Sequence, residues 1–206
     1  PMERWNPKDG DLYLNMVDKI HETGGRYAGV LWYQGCSDTN PGPAEKYLEH
    51  FREYVEATRK ELGYEIPFFT MQLNRQINGI NDECWGMVRD AQARAAKEIP
   101  GVSVLTTSNL SLCDGIHNTA QANVALGEKL AKQCAHVLNG KEEYQPPELV
   151  KVERADEAER KSFQLEGSGI WLKLTCDHVK NCFLVYSAVG KDSGFTLTDS
   201  EGEVEI

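Results

Sequence analysis

Three short apolar runs alternate with amphipathic segments in the first part of the chain, and this alternation limits the possible folds more than any other feature. The runs are YAGVLWY at 27–33, IPFFTMQL at 66–73 and GVSVLTT at 101–107. Each has the length of a strand, and its apolar composition is typical of strands buried on both faces. Around them, helical spacing of apolar residues predicts helices at 11–23, after the PGP at 41–43, near 83–98 and at 120–138. Strands that alternate with helices form a parallel sheet covered on both faces, so we predict a doubly wound α/β layer.

The pattern changes near residue 145, where QPP interrupts the helical spacing and a charged stretch follows. Beyond it we predict short strands joined by Gly-containing turns, at SFQL, GIWLKLT, CFLVYSAV and GFTLTD. The sequence therefore predicts an α/β domain over 1–144 and a small antiparallel β unit over 145–206. Three parallel strands are few for such a sheet, so we expect further strands of the α/β domain upstream of this chain.

Charge and hydropathy exclude two classes of partner. The chain carries 22 Lys and Arg against 32 Asp and Glu, a formal net charge of −10. Nucleic-acid binding needs a basic face, and no Lys/Arg cluster is present, so we expect no nucleic-acid partner. No apolar run approaches the ~20 residues that span a bilayer, so we expect no membrane partner. The N-terminal PMERWNPKDG lacks the apolar stretch of a signal peptide, so the protein is cytoplasmic or its true N-terminus has been removed.

The six cysteines show no CxxC motif and no regular spacing. This pattern predicts neither a zinc site nor the disulfide framework of a small secreted protein. We expect free thiols, with a bridge between Cys176 and Cys182 as the main alternative.

One polar segment, QGCSDTN at 34–40, directly follows the first predicted strand. In open α/β sheets, ligands bind outside the carboxyl ends of the strands, which makes this segment a candidate site. The side-chain amide of Gln34 could donate to a developing oxyanion, and Gly35 would let the backbone approach a ligand closely. The alternative is a polar loop that caps the next helix. The other polar residues of the 34–40 segment that we single out are Ser37, Asp38 and Asn40.

A second polar segment, CDGIHNT at 113–119, lies between the last predicted strand and the last predicted helix. Asp114 and His117 are three residues apart, so on a tight turn or a first helical turn their side chains can meet. A carboxylate in that place can accept the Nδ1 proton of the imidazole, while Nε2 removes a proton from a nucleophile. An isolated DxxH motif also arises by chance, and its position at a strand end is what favours a catalytic role.

The remaining histidines and aromatic rings have ordinary structural interpretations. His21, His50, His136 and His178 are expected to be surface or hydrogen-bonded residues rather than ligands. The rings of Trp32, Tyr33 and Trp85 could stack on a sugar or pack in the core.

Four segments, taken together in their order and spacing, resemble the sialate O-acetylesterase and carbohydrate acetylesterase branch of the SGNH hydrolases. They are VLWYQGCSD, IPFFTMQLN, MVRDAQ at 87–92 and DGIHNTAQANVALGEKLA at 114–131. The opening DLYLNMV is similar to the segment that precedes the WYQG block in that family. The resemblance covers residues 11–138, and the tail from 145 is compatible with the β unit that follows the esterase domain.

The resemblance implies a flavodoxin-like, three-layer α/β/α domain that removes O-acetyl groups from sialic acid or another sugar by a Ser-His-Asp mechanism. His117 would be the general base and Asp114 its orienting carboxylate. Gln34, Gly35 and Cys36 would lie in the oxyanion and substrate region, and no metal or cofactor is implied. The pair Arg89 and Gln92 matches the family's RxxQ, for which we expect a supporting role.

The sequence also departs from the family pattern. The family's nucleophilic serine lies in a GQSN-type element near the start of the domain, and no such element occurs here. Ser37 is in the wrong block to replace it. Cys36 occupies the usual Glu position of WYQGE, and Asn118 and Gln121 stand where Pro and Lys are common.

Three interpretations of the missing serine remain open. The chain could be the C-terminal portion of a longer esterase whose N-terminal portion supplies the serine. Cys36 could itself act as nucleophile with His117 and Asp114. Alternatively, the protein could be an inactive carbohydrate-binding or scaffold homologue of the same fold.

Overall fold

The computed structural model of the chain describes residues 1–139, 148–162, 171–177, 183–186, 195–199 and 202–205. The described residues fall into two compact units, one comprising 1–139 and the other the described segments from Glu148 onward. The predicted boundary near 145 lies outside the described residues, so the exact domain limits stay a prediction.

The first unit alternates helices and strands in the predicted order. Its helices are α1 (Asp11–Thr23), α2 (Pro43–Leu62), α3 (Asp82–Glu98) and α4 (Ala120–Leu138), and its strands are β1 (Val30–Trp32), β2 (Phe68–Met71) and β3 (Val102–Leu105). Short 3-10 turns lie at Met2–Trp5 and Cys36–Asp38. The strands are shorter than the apolar runs that predict them.

The three strands form one parallel sheet in the order β1-β2-β3. Val30 is in register with Phe68, and Phe68 with Val102. Because the strands are parallel, their carboxyl ends meet at one edge, where the two predicted polar segments begin.

Alternate residues of the sheet contribute to different cores, which makes the unit three-layered. Phe68 belongs to a large cluster with apolar side chains of α1, α2 and α3. Its neighbour Phe69 belongs to a second cluster with Met71, Leu105 and the buried side of α4. Successive strand side chains point to opposite faces, so β2 is covered on both. The predicted α/β fold class is confirmed.

The face of β1 on the α4 side is open. Leu31 is in register with Phe69, yet its side chain is 61% exposed whereas that of Phe69 is 1% exposed. Tyr33, just after β1, is 42% exposed. The end of β1 is therefore accessible beside the loop that precedes α4.

The second unit contains two antiparallel sheets. One pairs β4 (Glu148–Arg154) with β5 (Leu172–Asp177), and the other has the order β6 (Phe183–Tyr186), β7 (Phe195–Asp199) and β8 (Gly202–Glu205). A short helix, α5, spans Glu157–Ser162.

Two sequence-based expectations for this unit need correction. Residues 148–154, which the sequence places in a charged stretch, form β4, in which Val150 and Val152 are separated by Lys151, with further charged residues at both ends of the strand. The prediction that a strand, SFQL, begins at Ser162 is wrong at that residue, because Ser162 is the last residue of α5. Residues 163–165 of that predicted strand lie outside the described residues. No described helix is long and apolar enough to cross a membrane.

Candidate active site

The loop at 113–119 is held in a narrow, strand-like turn before α4. The backbone N–H of Cys113 donates to the His117 carbonyl over 2.9 Å, and that of Thr119 donates to the Ser111 carbonyl over 2.9 Å. The Thr119 hydroxyl then caps α4 by accepting from Ala122 N at 3.1 Å. Hydrogen bonds therefore hold the loop both to the segment before it and to the first turn of α4.

Asp114 and His117 form the hydrogen-bonded pair expected from their spacing. The Nδ1 of His117 lies 2.7 Å from Oδ2 of Asp114. The other carboxylate oxygen, Oδ1, accepts from the backbone N–H of Ile116 at 2.8 Å and of His117 at 2.7 Å. One carboxylate therefore shapes the turn and orients the ring. It does so in a loop, with α4 beginning only at Ala120.

These hydrogen bonds also set the charge of Asp114. The hydrogen bond from His117, aided by the two backbone N–H groups, lowers the pKa of Asp114 to about 2. The carboxylate is therefore ionised at neutral pH and keeps the Nδ1 proton on the side facing it. Within the described residues, His117 Nε2 has no hydrogen-bond partner. An imidazole in this state can accept a proton at Nε2.

The Gln34 loop lies at the end of β1 and is organised by a buried carboxylate. Asp38, 2% exposed, accepts from Gln34 Nε2 at 2.5 Å and from the backbone N–H of Met2 at 2.8 Å. Gly35 has φ 147°, a value that side-chain-bearing residues rarely adopt. A Cβ at Gly35 would also lie 3.0 Å from Gln92 Nε2. The loop therefore requires glycine at this position.

Gln92 connects the ends of two strands. Its side chain is 1% exposed; Oε1 accepts from the backbone N–H of Leu73 at 2.8 Å, and Nε2 donates to the Gln34 carbonyl at 2.9 Å. Arg89, one turn earlier on α3, donates to the Leu73 carbonyl and to Ser108 Oγ. Both residues contact the strand ends from α3, and their supporting role stays a prediction.

A cleft of about 240 Å³ brings the two polar segments together. It is lined by Tyr33, Gln34, Cys36, Leu73, Ile116, His117, Asn118 and Asn123. Gln34, Cys36 and His117 therefore share one cleft, while Arg89 and Gln92 lie behind it. The catalytic and substrate-binding roles of these residues stay predictions.

The Cys36 thiol is not set up as an activated nucleophile. Desolvation and, to a lesser degree, the charge of Asp38 raise the pKa of Cys36. Reactive cysteines have lowered pKa values, because only the thiolate attacks. Cys36, Cys84, Cys113 and Cys134 are free thiols; the alternative bridge involves Cys182, which is outside the described residues.

The other polar members of the first segment have structural surroundings. Ser37 is exposed in the 3-10 turn, and Asn40 accepts a hydrogen bond from Asn81 at 3.0 Å. The rings of Trp32 and Trp85 are both 5% exposed and belong to the core. Of the three candidate stacking rings, Tyr33 alone lines the cleft.

Sequence reasoning missed a hydrogen-bonded chain of side chains that ends in the cleft. Asn118, noticed only as a departure from the family pattern, donates to Tyr33 Oη at 3.0 Å and to Asn123 Oδ1 at 3.1 Å. Tyr33 and Asn118 are 85 positions apart. No local pattern could have paired them.

Another depression, of about 540 Å³, lies where α2 ends and the chain turns toward the start of β2. It is lined by Glu56, Arg59, Lys60, Gly63, Tyr64 and Glu65. These residues are at the amino edge of the sheet, opposite the strand ends that carry the polar segments. Across the described part of the chain, no three His, Cys, Asp or Glu side chains are grouped to hold a metal ion.

Among the solved structures that resemble this chain, two come from a plant and a bacterium. A protein from Arabidopsis thaliana has a TM-score of 0.58 and 27% identity, covering 66% of this chain and 57% of its own. A carbohydrate acetylesterase from Xanthomonas citri has a TM-score of 0.57 and 21% identity, covering 87% of this chain and 41% of its own, and at that identity the likeness shows the fold alone. The chain spans about half the length of these structures. No curated protein is significantly similar to it in sequence.

The sequence of the first unit also matches a family as a whole. The family model of carbohydrate esterases described as sialic acid-specific acetylesterases matches residues 1–136, most of the chain. This match confirms the family that the four motif segments predict. The chain therefore belongs to the carbohydrate esterase family of sialic acid-specific acetylesterases.

Proposed function

We propose that this protein hydrolyses O-acetyl esters on sialic acid or another carbohydrate by a Ser-His-Asp mechanism of the SGNH type. Family membership supports both the reaction class and a carbohydrate ester as the substrate. The observation that carries the mechanism is the Asp114–His117 pair. His117 lines the cleft, and its Nε2 has no hydrogen-bond partner among the described residues.

His117 acts as the general base in this proposal. It removes a proton from a serine hydroxyl as the oxygen attacks the acetyl carbonyl, and later gives that proton to the leaving sugar alcohol. Asp114 stays ionised, holds the Nδ1 proton and stabilises the imidazolium. The serine is supplied by an N-terminal portion of the same protein that precedes this chain.

Gln34 and Gly35 stabilise the tetrahedral intermediate. A primary amide has two N–H groups, and the bond from Gln34 Nε2 to Asp38 uses one of them. The second N–H is then held in a set orientation by a buried carboxylate. A preorganised donor of this kind strengthens binding of the oxyanion without reorganisation during the reaction. Gly35 contributes by holding the loop conformation that presents Gln34, because its φ of 147° and its close approach to Gln92 require glycine.

The test compares this chain alone with a longer protein that includes the upstream segment. We expect the isolated chain to hydrolyse p-nitrophenyl acetate no faster than free imidazole, because its His117 has no hydroxyl to activate. The longer protein should hydrolyse O-acetylated N-acetylneuraminic acid, and His117→Ala should abolish that activity.

Two other results would replace the proposal. If the isolated chain is active and Cys36→Ala abolishes the activity, the thiol is the nucleophile and no upstream serine is needed. If the longer protein binds the sugar but hydrolyses neither substrate, the protein is an inactive, carbohydrate-binding homologue.

A further inference from the structure

One wall of the cleft contains the polar side chains of Tyr33, Asn118 and Asn123, and a fourth, Asn74, is hydrogen-bonded to Asn118 behind it. Asn74 and Asn118 are 1% and 9% exposed, and Asn74 Nδ2 lies 2.6 Å from Asn118 Oδ1. Asn118 Nδ2 then reaches Tyr33 Oη at 3.0 Å and Asn123 Oδ1 at 3.1 Å. Two of these residues are inside the unit, and the other two, Tyr33 and Asn123, are exposed at the cleft.

Backbone groups determine which way every amide in this chain of contacts points. Asn74 Nδ2 faces the Leu110 carbonyl at 3.2 Å, which can only accept, and its Oδ1 faces the backbone N–H of Arg75 at 2.7 Å, which can only donate. Asn118 must therefore present Oδ1 to Asn74 and Nδ2 to Tyr33 and Asn123. With this orientation, the Asn118 amide makes all three of its hydrogen bonds, one accepted from Asn74 and two donated to Tyr33 and Asn123.

The consequence is that two hydrogen-bond donors are presented at the cleft. Since Tyr33 Oη accepts from Asn118, its own hydrogen is available to another acceptor. Since Asn123 accepts through Oδ1, its Nδ2 is likewise available. Neither donor has an acceptor among the residues that the structure describes. Desolvation raises the pKa of Tyr33, so the phenol keeps its proton at neutral pH.

We propose that Tyr33 and Asn123 form a subsite for the hydroxylated ring of the sugar, with Asn118 as their positioning residue. This inference rests on the proposed esterase function and adds the residues that select a sugar ester over a simple acetate. Sugar hydroxyl and ring oxygens are acceptors for the two donors, and the half-exposed Tyr33 ring offers an apolar surface to the C–H face of the sugar. The subsite shares the cleft with His117, so it holds the sugar beside the base.

The size of the cleft agrees with a single ring. Its volume of about 240 Å³ is below the ~300–1,000 Å³ typical of pockets for drug-sized ligands. It takes an acetyl group and one face of one sugar ring, with the rest of a longer glycan outside.

The experiment measures a specificity ratio in the longer, serine-containing protein. The ratio divides kcat/KM for O-acetylated N-acetylneuraminic acid by kcat/KM for p-nitrophenyl acetate, which has no sugar. Tyr33→Phe keeps the ring and removes the O–H, and Asn123→Ala removes the amide on an exposed helix position. We expect each to lower the ratio about 3- to 10-fold, the usual worth of one hydrogen bond, and the double variant to lower it further.

The matched control is Val124→Ala, because Val124 follows Asn123 on α4, is 64% exposed and does not line the cleft. It should leave the ratio within about twofold. A ratio that stays constant in Tyr33→Phe and Asn123→Ala would overturn the subsite, even where the esterase function holds.

Failure of the proposed function has a different signature. If the unaltered protein hydrolyses neither substrate, the esterase proposal fails, and binding of N-acetylneuraminic acid to the chain is measured by NMR titration instead. The subsite is supported if Tyr33→Phe and Asn123→Ala each weaken that binding several-fold relative to Val124→Ala. Equal binding by all three variants, or no binding at all, overturns it.

Discussion

At the scale of single residues, Asp114 does two separable things. Through Oδ1 it accepts two backbone N–H groups that shape the loop, and through Oδ2 it accepts the Nδ1 proton of His117. An asparagine retains the first function, because its Oδ1 can still accept from the backbone. It presents an NH2 group to Nδ1 and so favours the wrong tautomer of the imidazole.

We therefore expect Asp114→Asn in the longer protein to fold and bind substrate almost normally while kcat falls by a factor on the order of 10⁴. The measurement is steady-state kinetics on an O-acetylated sugar, with circular dichroism as the check on folding. Gln34→Ala is the comparison; as the loss of one oxyanion donor it should reduce kcat only ~10²- to 10³-fold. Nearly normal turnover in Asp114→Asn would remove this residue from the mechanism.

The same carboxylate predicts a dependence of stability on pH. Its pKa is about 2 in the folded protein, below the ~3.9 of an unfolded aspartate. A lowered pKa stabilises the folded state fully above pH ~3.9, and the stabilisation is lost as the pH falls through about 2. We expect the difference in unfolding free energy between the unaltered chain and Asp114→Asn to shrink steadily from pH ~5 to pH ~2.

Urea unfolding at several pH values measures this difference. Asp90→Asn is a suitable control, since Asp90 is exposed and its ion pair with Arg94 is long, at 3.8 Å. A difference for Asp114→Asn that does not change with pH would mean that the charge of the carboxylate adds nothing to stability.

At the scale of elements, the strand ends are connected through α3 rather than through the sheet ladder. Gln92 bonds to Leu73 after β2 and to the Gln34 carbonyl after β1. Tyr47 from α2 also donates to the Gln34 carbonyl, at 2.9 Å. The Gln34 loop is thus positioned by two helices on the same side of the sheet.

Gln92→Leu should therefore destabilise the protein by about 1–3 kcal/mol, because the buried N–H of Leu73 loses its only bond partner in the described contacts. The Gln34 carbonyl keeps its bond from Tyr47, which limits the cost. Thermal or urea unfolding provides the measurement, and Asp90→Asn on the exposed side of α3 should change stability by less than about 0.5 kcal/mol. Equal stability of the two variants would show that Gln92 does not hold the strand ends.

The elements themselves were largely predictable from the sequence. Helix α4 occupies the predicted residues, and α1 does as well. The strands were predicted too long: of YAGVLWY, only Val30–Trp32 pairs, because the apolar composition of a segment does not specify which of its residues make ladder bonds. The strand β4 was missed because its alternating Val150 and Val152 are diluted by charges and both remain at least half exposed.

At the scale of the whole molecule, the sheet of the first unit has unequal coverage. Phe68 and Phe69 are both almost fully buried, one against α1, α2 and α3 and the other against α4. Beside them, Leu31 on β1 remains exposed on the α4 face. This unequal coverage leaves the end of β1 open next to the loop of His117, and the cleft lies there.

The sequence by itself determined the order of the elements, the parallel sheet and the edge at which both polar segments lie. It also predicted the Asp114–His117 pair, because side chains three residues apart in a tight turn can meet. The tertiary structure alone decided which aromatic ring stays at the surface and which amides reach it. Tyr33 and Asn118 meet across 85 positions only because α4 packs on β2 and β3, and such long-range contacts depend on packing geometry that local periodicity does not encode.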